Sequence, residues 1–154
     1  MIVLALAVNG VAHTVEVDER TTLAELLRGP VGLTGTKIAC AEGTCGACTV
    51  LLDGAPVLSC ILLAAQADGR AVTTVEGLGE ERALSALQQA FIEEDAFQCG
   101  FCTPGQVVSA TALLAANPHP TRDEVRAAMS GNLCRCGAYP KIERAVLRAA
   151  GEAA

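Results

Sequence analysis

The chain has 154 residues, with 17 acidic and 11 basic side chains and a formal net charge of −6. This acidic balance argues against a nucleic-acid-binding protein, which needs a basic face. Hydrophobic residues make up 51% of the sequence and aromatic residues only 3%, so the apolar content is mostly Ala, Val and Leu, which suits closely packed helices. The length allows one domain with a substantial core, or two small ones.

The N-terminal residues predict a β-hairpin rather than a targeting segment. No Lys or Arg precedes the first apolar run, no small-residue cleavage site follows it, and no stretch approaches the roughly 20 apolar residues of a membrane span. Asn9-Gly10 separates two alternating runs, Ile2–Val8 and Val11–Val17, as a tight hairpin turn does. We therefore expect a soluble, cytoplasmic protein. In that reducing compartment, eight cysteines are more often metal ligands than disulfides.

Short strands continue to about residue 76, interrupted by one helix. Further strands are predicted at 49–52, 57–58 and 72–75. Thr22 and Glu25 have the spacing of a capping box, and Gly29-Pro30 ends the helix that they begin. Strands around a single helix indicate a small α+β domain, which we place at residues 1–76.

The second half of the chain predicts helices. The segment 76–81, EGLGEE, is a plausible linker, and residues 77–154 form the predicted second domain. Three of its four helices are predicted at 84–96, 105–116 and 141–150, the last two after Thr103-Pro104 and Tyr139-Pro140. A capping box of Thr121 and Glu124 begins the remaining helix, which ends at about Met129. Four helices of two to four turns indicate an all-α four-helix bundle.

The first predicted domain contains one set of four cysteines: Cys40, Cys45, Cys48 and Cys60. The first three are separated by four and by two residues, the spacing of a plant-type [2Fe–2S] site, and the fourth follows the Asp53-Gly54 turn. Gly43 and Gly46 allow a positive φ, which lets the loop point backbone N–H groups at the sulfides. We predict a [2Fe–2S] cluster here, with a zinc site and a disulfide framework as the alternatives.

The second set lies in the helical half and consists of two close pairs, Cys99 with Cys102 and Cys134 with Cys136. Each pair precedes a predicted helix start, so two positive helix N-termini are expected to face one anionic thiolate site. Four cysteines in two pairs also describe a structural zinc site. The presence of the first set shifts the prediction to a second [2Fe–2S] cluster.

Three motifs in this order resemble a known family. They are CAEGTCGACTVLLDG at 40–54, QCGFCTPGQ at 98–106 and GNLCRCGAYPKI at 131–142. Together they are similar to the small iron–sulfur subunit of the molybdenum hydroxylases, the family of xanthine dehydrogenase, aldehyde oxidoreductase and carbon monoxide dehydrogenase. The resemblance covers nearly the whole chain. It implies a ferredoxin-like β-grasp domain followed by a four-helix bundle, with one [2Fe–2S] cluster in each.

The resemblance also implies a function and partners. Electrons would pass from a molybdopterin on a large partner subunit, through the helical cluster and then the ferredoxin-like cluster, to FAD on a medium subunit. Gln98 is implied to hydrogen-bond to the pterin, and Cys136 to be the cluster ligand closest to it. The sequence contains no dinucleotide fingerprint, phosphate loop or nucleophile with a nearby base, so no catalytic residue is expected in this chain. Catalysis would belong to the whole oxidoreductase complex.

Two other functions fit the cysteines: a free-standing two-cluster ferredoxin and a structural double-zinc module. The remaining polar residues have ordinary interpretations. His13 and His119 are expected at the surface without a metal. Arg135 is expected to compensate cluster charge, to bond to a partner or simply to be exposed. The acidic run at 93–95 is expected to be a solvated helix end or to face a partner.

Overall fold

The computed structural model describes residues 1–79 and 83–151, which form one mixed sheet of five strands and five α-helices. The strands are β1 (Ile2–Val8), β2 (Val11–Val17), β3 (Thr49–Leu52), β4 (Ala55–Leu58) and β5 (Ala71–Thr73). The helices are α1 (Leu23–Arg28), α2 (Ala86–Glu93), α3 (Thr103–Ala116), α4 (Arg122–Met129) and α5 (Tyr139–Ala149). Within the described ranges, no helix is long and apolar enough to cross a membrane.

Two tight hairpins and one parallel pair build the sheet. Its strand order is β2-β1-β5-β3-β4, with β1 parallel to β5 and all other neighbours antiparallel. Asn9-Gly10 joins β1 to β2, and Asp53-Gly54 joins β3 to β4. All four of these turn residues have a positive φ, between 50° and 83°, which matches the twist of a two-residue hairpin. The turn predicted at Asn9-Gly10 is therefore confirmed.

Helix α1 shares a core with the sheet. The Thr22 hydroxyl accepts a hydrogen bond from the Glu25 N–H, and the Glu25 carboxylate accepts one from the Thr22 N–H, so the predicted capping box is present. Leu23, Leu26 and Leu27 of α1 are fully buried among the inward-facing side chains of β1, β3 and β5. Burying a leucine contributes about 1.5–3 kcal/mol, so these three side chains are a large part of what holds this half together.

Helices α2 to α5 share a second core. Helix α2 packs on α3 and α5, and α4 packs on the same two helices. The centre of this core includes Phe91, Ala110, Ala145 and Val146, all at most 2% exposed. Two of them are alanines, as expected from a sequence rich in small apolar residues. The division into domains at residues 1–76 and 77–154 stays a prediction.

Several helix ends differ from their predicted positions, whereas α3 ends at Ala116 and α4 at Met129 as predicted. Ser85 is the N-cap of α2, because it forms a capping box with Gln88, and α2 ends before Asp95, which has a φ of 51°. Helices α3 and α5 begin at Thr103 and Tyr139, one residue ahead of each proline. The Thr103-Pro104 pair predicts Thr103 as the N-cap of α3, but Thr103 lies inside the helix.

Strands β4 and β5 and the linker also differ from the prediction, whereas β1, β2 and β3 have their predicted bounds. Strand β4 begins at residue 55, two residues earlier than predicted, and β5 covers 71–73 because the chain turns into a 3₁₀-helix at Val75–Gly77. Part of the predicted linker therefore belongs to this 3₁₀-helix, and Glu80 and Glu81 lie outside the described residues. A second 3₁₀-helix, Ala64–Ala67, is absent from the sequence prediction.

The acidic run at 93–95 is bonded to helix α5. The Glu94 carboxylate pairs with Arg144 at 3.0 Å and with Arg148 at 2.7 Å, and its side chain is only 11% exposed. Glu93 pairs with Arg148 at 2.8 Å, and Asp95 pairs with a lysine of the same helix. The expectation of a solvated helix end is therefore wrong for Glu94, because long-range ion pairs anchor it.

These ion pairs predict a pH dependence of stability. Hydrogen bonds from Arg148 and then Arg144 hold the pKa of Glu94 below its usual range. A carboxyl group whose folded-state pKa is lowered stabilises the fold above its unfolded pKa of about 4.3, and this contribution is lost as the pH falls through the folded pKa. We expect the urea midpoint of the wild type to drop more steeply than that of Glu94→Gln as the pH falls from about 5 to about 3.

The control is Glu16→Gln, at an exposed position of β2, which should retain the wild-type pH dependence. Circular dichroism during urea unfolding measures all three proteins. An identical pH dependence in Glu94→Gln and the wild type would contradict the role of these ion pairs.

Candidate metal centres

The first cysteine set is held mainly by the loop between α1 and β3. Cys40, Cys45 and Cys48 lie in that loop, and Cys60 follows β4. Positive φ values occur at Ala41 (54°), Gly43 (78°) and Gly46 (73°), which bend the loop back on itself. The positive φ predicted for both glycines is confirmed, whereas the one at Ala41 has no signal in the sequence.

Backbone N–H groups point at the Cys40 thiol. The N–H groups of Glu42 and Thr44 bond to its Sγ, with an N–Sγ distance of 3.4 Å for Thr44. The Glu42 N–H, the Thr44 hydroxyl and the Thr44 N–H lower the pKa of Cys40 to about 5. A lowered pKa favours the thiolate, which is the form that binds metal.

The four thiols of the first set form two pairs in space. Cys40 lies within hydrogen-bond reach of Cys45, and Cys60 lies within reach of Cys48. Burial, together with Cys48, raises the pKa of Cys60 to about 11, because two adjacent thiols do not both ionise without a cation between them. Two pairs are the arrangement that a two-iron cluster needs, since each iron takes two thiolates.

The second set also forms two pairs, but they join distant parts of the chain. Cys99 lies within hydrogen-bond reach of Cys136, and Cys102 lies within reach of Cys134. Neighbours in the sequence are therefore not partners in space. All eight cysteines are free thiols. Over residues 1–79 and 83–151, no three His, Cys, Asp or Glu side chains converge to hold a single metal ion.

Helix N-termini support the second set, as predicted. Cys102 is the N-cap of α3, and Ala138, the N-cap of α5, donates its N–H to the Cys134 Sγ at 3.4 Å. Burial raises the pKa of Cys102 to about 12. Burial also acts to raise the pKa of Cys134, but N–H donors, first that of Ala138, outweigh it and lower this pKa. The site therefore stabilises one thiolate of this pair before any metal arrives.

Three polar side chains lie beside the second set. Gln98 is exposed and its Nε2 donates to the Cys136 carbonyl at 3.2 Å. The Tyr139 hydroxyl accepts the Cys134 N–H at 2.8 Å. Gln106 is buried, and its side chain reaches the Cys102 thiol. Sequence reasoning identified Gln98 and missed the other two, although the spacing of Gln106, one helical turn after Cys102, is a usable signal.

The other predicted polar residues lie at the protein surface to different degrees. Arg135 is exposed, and it lines a cavity of about 420 Å³ together with cysteines of both sets. His13 is half-buried on β2, and His119 is exposed in the turn after α3, where its N–H bonds to the side chain of Asn117. Neither histidine belongs to the cysteine sites.

The two cysteine sets meet through backbone. The Leu133 N–H donates to the Cys45 carbonyl at 2.9 Å, so a residue adjacent to Cys134 is bonded directly to a cysteine of the first set. Gly105, in the first turn of α3, lies against Gly46, and a Cβ there would be only 2.3 Å from the Gly46 carbonyl oxygen. The first cysteine loop and the start of α3 are therefore in direct backbone contact.

Two family models of iron–sulfur domains match successive parts of the chain. Residues 6–74 match a "2Fe-2S iron-sulfur cluster binding domain", and residues 74–147 match a "[2Fe-2S] binding domain". The chain is also 58% identical over 145 residues to the nicotine 6-hydroxylase small subunit of Paenarthrobacter nicotinovorans, covering 94% of this chain and 87% of that one.

Solved structures agree with these matches. Quinoline 2-oxidoreductase from Pseudomonas putida 86 superposes with a TM-score of 0.94 at 50% identity, covering 97% of this chain and 92% of that chain. Aldehyde oxidoreductase from Desulfovibrio gigas superposes with a TM-score of 0.93 at 42% identity, covering 98% of this chain but only 17% of that chain. The same unit therefore occurs both as a short chain and as part of a much longer one.

The contact at Gly105 predicts an unusual response to alanine. A Gly→Ala change inside a helix ordinarily stabilises a protein by up to about 1 kcal/mol. At Gly105 we expect destabilisation of about 1–3 kcal/mol, because the new methyl group would press on the Gly46 carbonyl and the Ala47 Cα. Urea unfolding of the purified protein measures the change.

The matched control is Gly131→Ala, where a Cβ would meet no atom within 4 Å and φ is not positive. Its stability should stay close to that of the wild type. Equal stability of Gly105→Ala and Gly131→Ala would show that the cysteine loop and α3 are not in close contact.

Proposed function

Because the chain belongs to the small [2Fe–2S] subunits of the molybdenum hydroxylases, we propose that it relays electrons from a molybdopterin centre through two [2Fe–2S] clusters to FAD. The observation that carries the proposal is the folding of eight cysteines into two sets of four, each arranged as two pairs. When bound, such clusters supply one-electron chemistry, and the chain contributes the burial, charge and hydrogen bonds that tune them.

The proposed ligands are all eight cysteines. Cys40, Cys45, Cys48 and Cys60 would hold the first cluster, and Cys99, Cys102, Cys134 and Cys136 the second. The donor set fits iron, since thiolates are the usual ligands of these clusters. The fit is supported by the N–H groups that already bond to the sulfurs of Cys40 and Cys134. Those donors would offset the negative charge that each reduced site gains.

We propose that the two sites belong to two domains. Residues 1–76 would form a ferredoxin-like β-grasp domain, and residues 77–154 a four-helix bundle. Two separate groups of buried apolar side chains support this division, one shared by α1 and the sheet and the other by α2 to α5. The family-model matches, which meet at residue 74, support it as well.

The partners proposed are a large molybdopterin-binding subunit and a medium FAD-binding subunit. A relative named as a small subunit, and a longer relative of which this unit is only 17%, support the idea that other polypeptide supplies the rest of the enzyme. We place the complex in the cytoplasm, because a reducing compartment keeps cysteines available as metal ligands.

Gln98 and Cys136 are proposed to face the molybdopterin. Gln98 is exposed and holds the Cys136 carbonyl, so one side chain can link the end of the second cysteine set to a group outside this chain. The neighbouring Cys99 is exposed, and Phe101 is 46% exposed. This edge of the helical half therefore brings a predicted ligand close to the surface.

Serine variants test the relay and its order. In the purified complex, Cys48→Ser should lose the first-set cluster and Cys134→Ser the second, each with half of the iron and one of two reduced [2Fe–2S] signals in EPR. When substrate is added, Cys48→Ser should still reduce its remaining cluster while FAD stays oxidised. Cys134→Ser should leave both its remaining cluster and FAD oxidised.

The two serine variants serve as controls for each other, because each retains the site that the other loses. Reduction of FAD at the wild-type rate in either variant would contradict the relay. A wild-type complex that contains zinc in place of iron and has no EPR signal would support the structural zinc module instead.

Gln98→Ala tests the proposed contact with the pterin. Iron content and both EPR signals should match the wild type, because the cysteines are untouched. Reduction of the second-set cluster by substrate, followed by stopped-flow absorption, should be about 10-fold slower, as is usual when a supporting contact of a metal site is lost. Reduction by dithionite, which bypasses the pterin, should be unchanged.

The matched control is Gln89→Ala, an exposed glutamine of α2 whose amide donates to the Glu93 carboxylate at 3.1 Å. It should behave as the wild type in both assays. A Gln98→Ala complex that is reduced by substrate as fast as Gln89→Ala would remove Gln98 from the proposed path.

A further inference from the structure

Two amide side chains are buried between the cysteine sets. Gln106 of α3 is 1% exposed, and Asn132, in the turn between α4 and α5, is 6% exposed. Burying an amide without hydrogen bonds costs roughly 2–7 kcal/mol, so buried amides need well-placed partners. The partners of these two side chains all belong to segments that carry cysteines.

Asn132 binds the first cysteine loop. Its Nδ2 donates to the Gly46 carbonyl at 3.0 Å, between Cys45 and Cys48 in the sequence. The next residue, Leu133, donates its N–H to the Cys45 carbonyl at 2.9 Å. Side chain and backbone of one short turn therefore hold two consecutive carbonyls of the first loop.

Gln106, on helix α3, binds the same turn that carries Asn132. Its Nε2 donates to the Asn132 carbonyl at 2.9 Å, and its side chain also reaches the Cys102 thiol. The Gln106 backbone N–H also donates to the Cys102 carbonyl at 3.0 Å, so a chain of hydrogen bonds runs from Cys102 through Gln106 and Asn132 to Gly46. It connects a cysteine of the second set with the loop of the first.

Close backbone contact leaves these amides little freedom. A Cβ on Gly46 would lie 2.4 Å from the Gly131 carbonyl oxygen and 2.7 Å from the Asn132 Nδ2, and a Cβ on Gly105 of α3 would lie 2.3 Å from the Gly46 carbonyl oxygen. No side chain can therefore separate the loop from the turn. The two amides determine the position of the turn between α4 and α5 relative to the first cysteine loop, because hydrogen bonds are directional and the glycine contacts are not.

We propose that Asn132, supported by Gln106, is a positioning residue for electron transfer between the two cysteine sets. The side chains of Asn132 and Gln106, which we call the amide clasp, hold the Leu133 N–H on the Cys45 carbonyl. A path from Cys134 to Cys45 therefore crosses a single hydrogen bond. One electron leaves the second site and one arrives at the first, and no bond forms or breaks. The inference rests on the proposed function, since it requires a cluster at each set.

Removing the Asn132 side chain should loosen this register without unfolding the protein. The Gly46 carbonyl also accepts the Thr49 hydroxyl at 2.7 Å and the Thr49 N–H at 3.1 Å, so it keeps partners in Asn132→Ala. What is lost is the side-chain bond between the helical half and the loop. The Leu133–Cys45 hydrogen bond then depends on the turn alone.

The test uses the holo complex with Asn132→Ala and the matched control Asn117→Ala. Asn117 is the C-cap of α3, where its side chain accepts the nearby His119 N–H and touches no residue of either cysteine set among its described hydrogen bonds. Both variants should contain wild-type iron. In Asn132→Ala, the magnetic splitting between the two reduced signals in low-temperature EPR should decrease. Electron transfer from the second site to the first, after rapid reduction by substrate, should be about 10-fold slower.

A second variant, Gln106→Met, keeps the size of the side chain and removes only its hydrogen bonds. It should decrease the splitting and slow the electron transfer, as Asn132→Ala does. If Asn132→Ala loses iron, Gln106→Met becomes the test of the positioning role. The splitting depends on the separation and orientation of the two spins and not on their redox potentials, so it distinguishes positioning from a change of potential.

Unchanged splitting and transfer rate in an iron-loaded variant of either residue, relative to Asn117→Ala, would overturn the amide clasp. The proposed function would still stand in that case, because two [2Fe–2S] signals would be present. A wild-type complex without two such signals would instead overturn the proposed function, and the amide clasp with it.

Discussion

Close packing of thiol groups is the constraint on which the rest of this structure depends. Each site brings cysteines together in pairs, and two adjacent thiolates repel each other unless a cation or hydrogen-bond donors offset their charge. The protein already has a net charge of −6, so the offset must be local. It comes from the N–H groups turned inward by positive φ at Ala41 and Gly43, and from the N-termini of α3 and α5. In two of the four pairs burial raises the pKa of one member, Cys60 or Cys102, so metal binding and ionisation are coupled there.

The contact between the two halves follows from the same constraint. Electron transfer over a short path requires the two sites to approach closely, and bulky side chains between them would prevent this. Gly46 and Gly105 leave only backbone at the contact, which allows carbonyl and N–H groups of the two halves to bond directly. Backbone at a buried contact must still find partners. The buried amides of Gln106 and Asn132 supply hydrogen bonds to backbone carbonyls here, where neither a helix nor a sheet provides them.

The parts of this arrangement that sequence reasoning captured are those with a local signal. The hairpin at Asn9-Gly10, the capping box of Thr22 and Glu25 and the spacing of the first cysteine set each depend on residues a few positions apart. The partners Cys99–Cys136 and Cys102–Cys134 were not predictable in this way, because proximity in the sequence suggests the opposite pairing. The anchoring of Glu94 by α5 was missed for the same reason, since its partners are 50 and 54 residues away. Tertiary packing decides such contacts.

Buried polar groups explain how the helical half holds the second cysteine set so close to the first. A wholly apolar contact between the loop and α3 would be at least as stable, because buried polar groups gain little net free energy. It would also tolerate small slips, since apolar contacts are not directional. A slip of even one ångström would break the single hydrogen bond between Leu133 and Cys45. The hydrogen bonds from the Asn132 amide to Gly46 and from the Gln106 amide to the Asn132 carbonyl allow only one register. The polar contact therefore contributes geometric definition more than stability, and geometric definition is what transfer between two fixed sites requires.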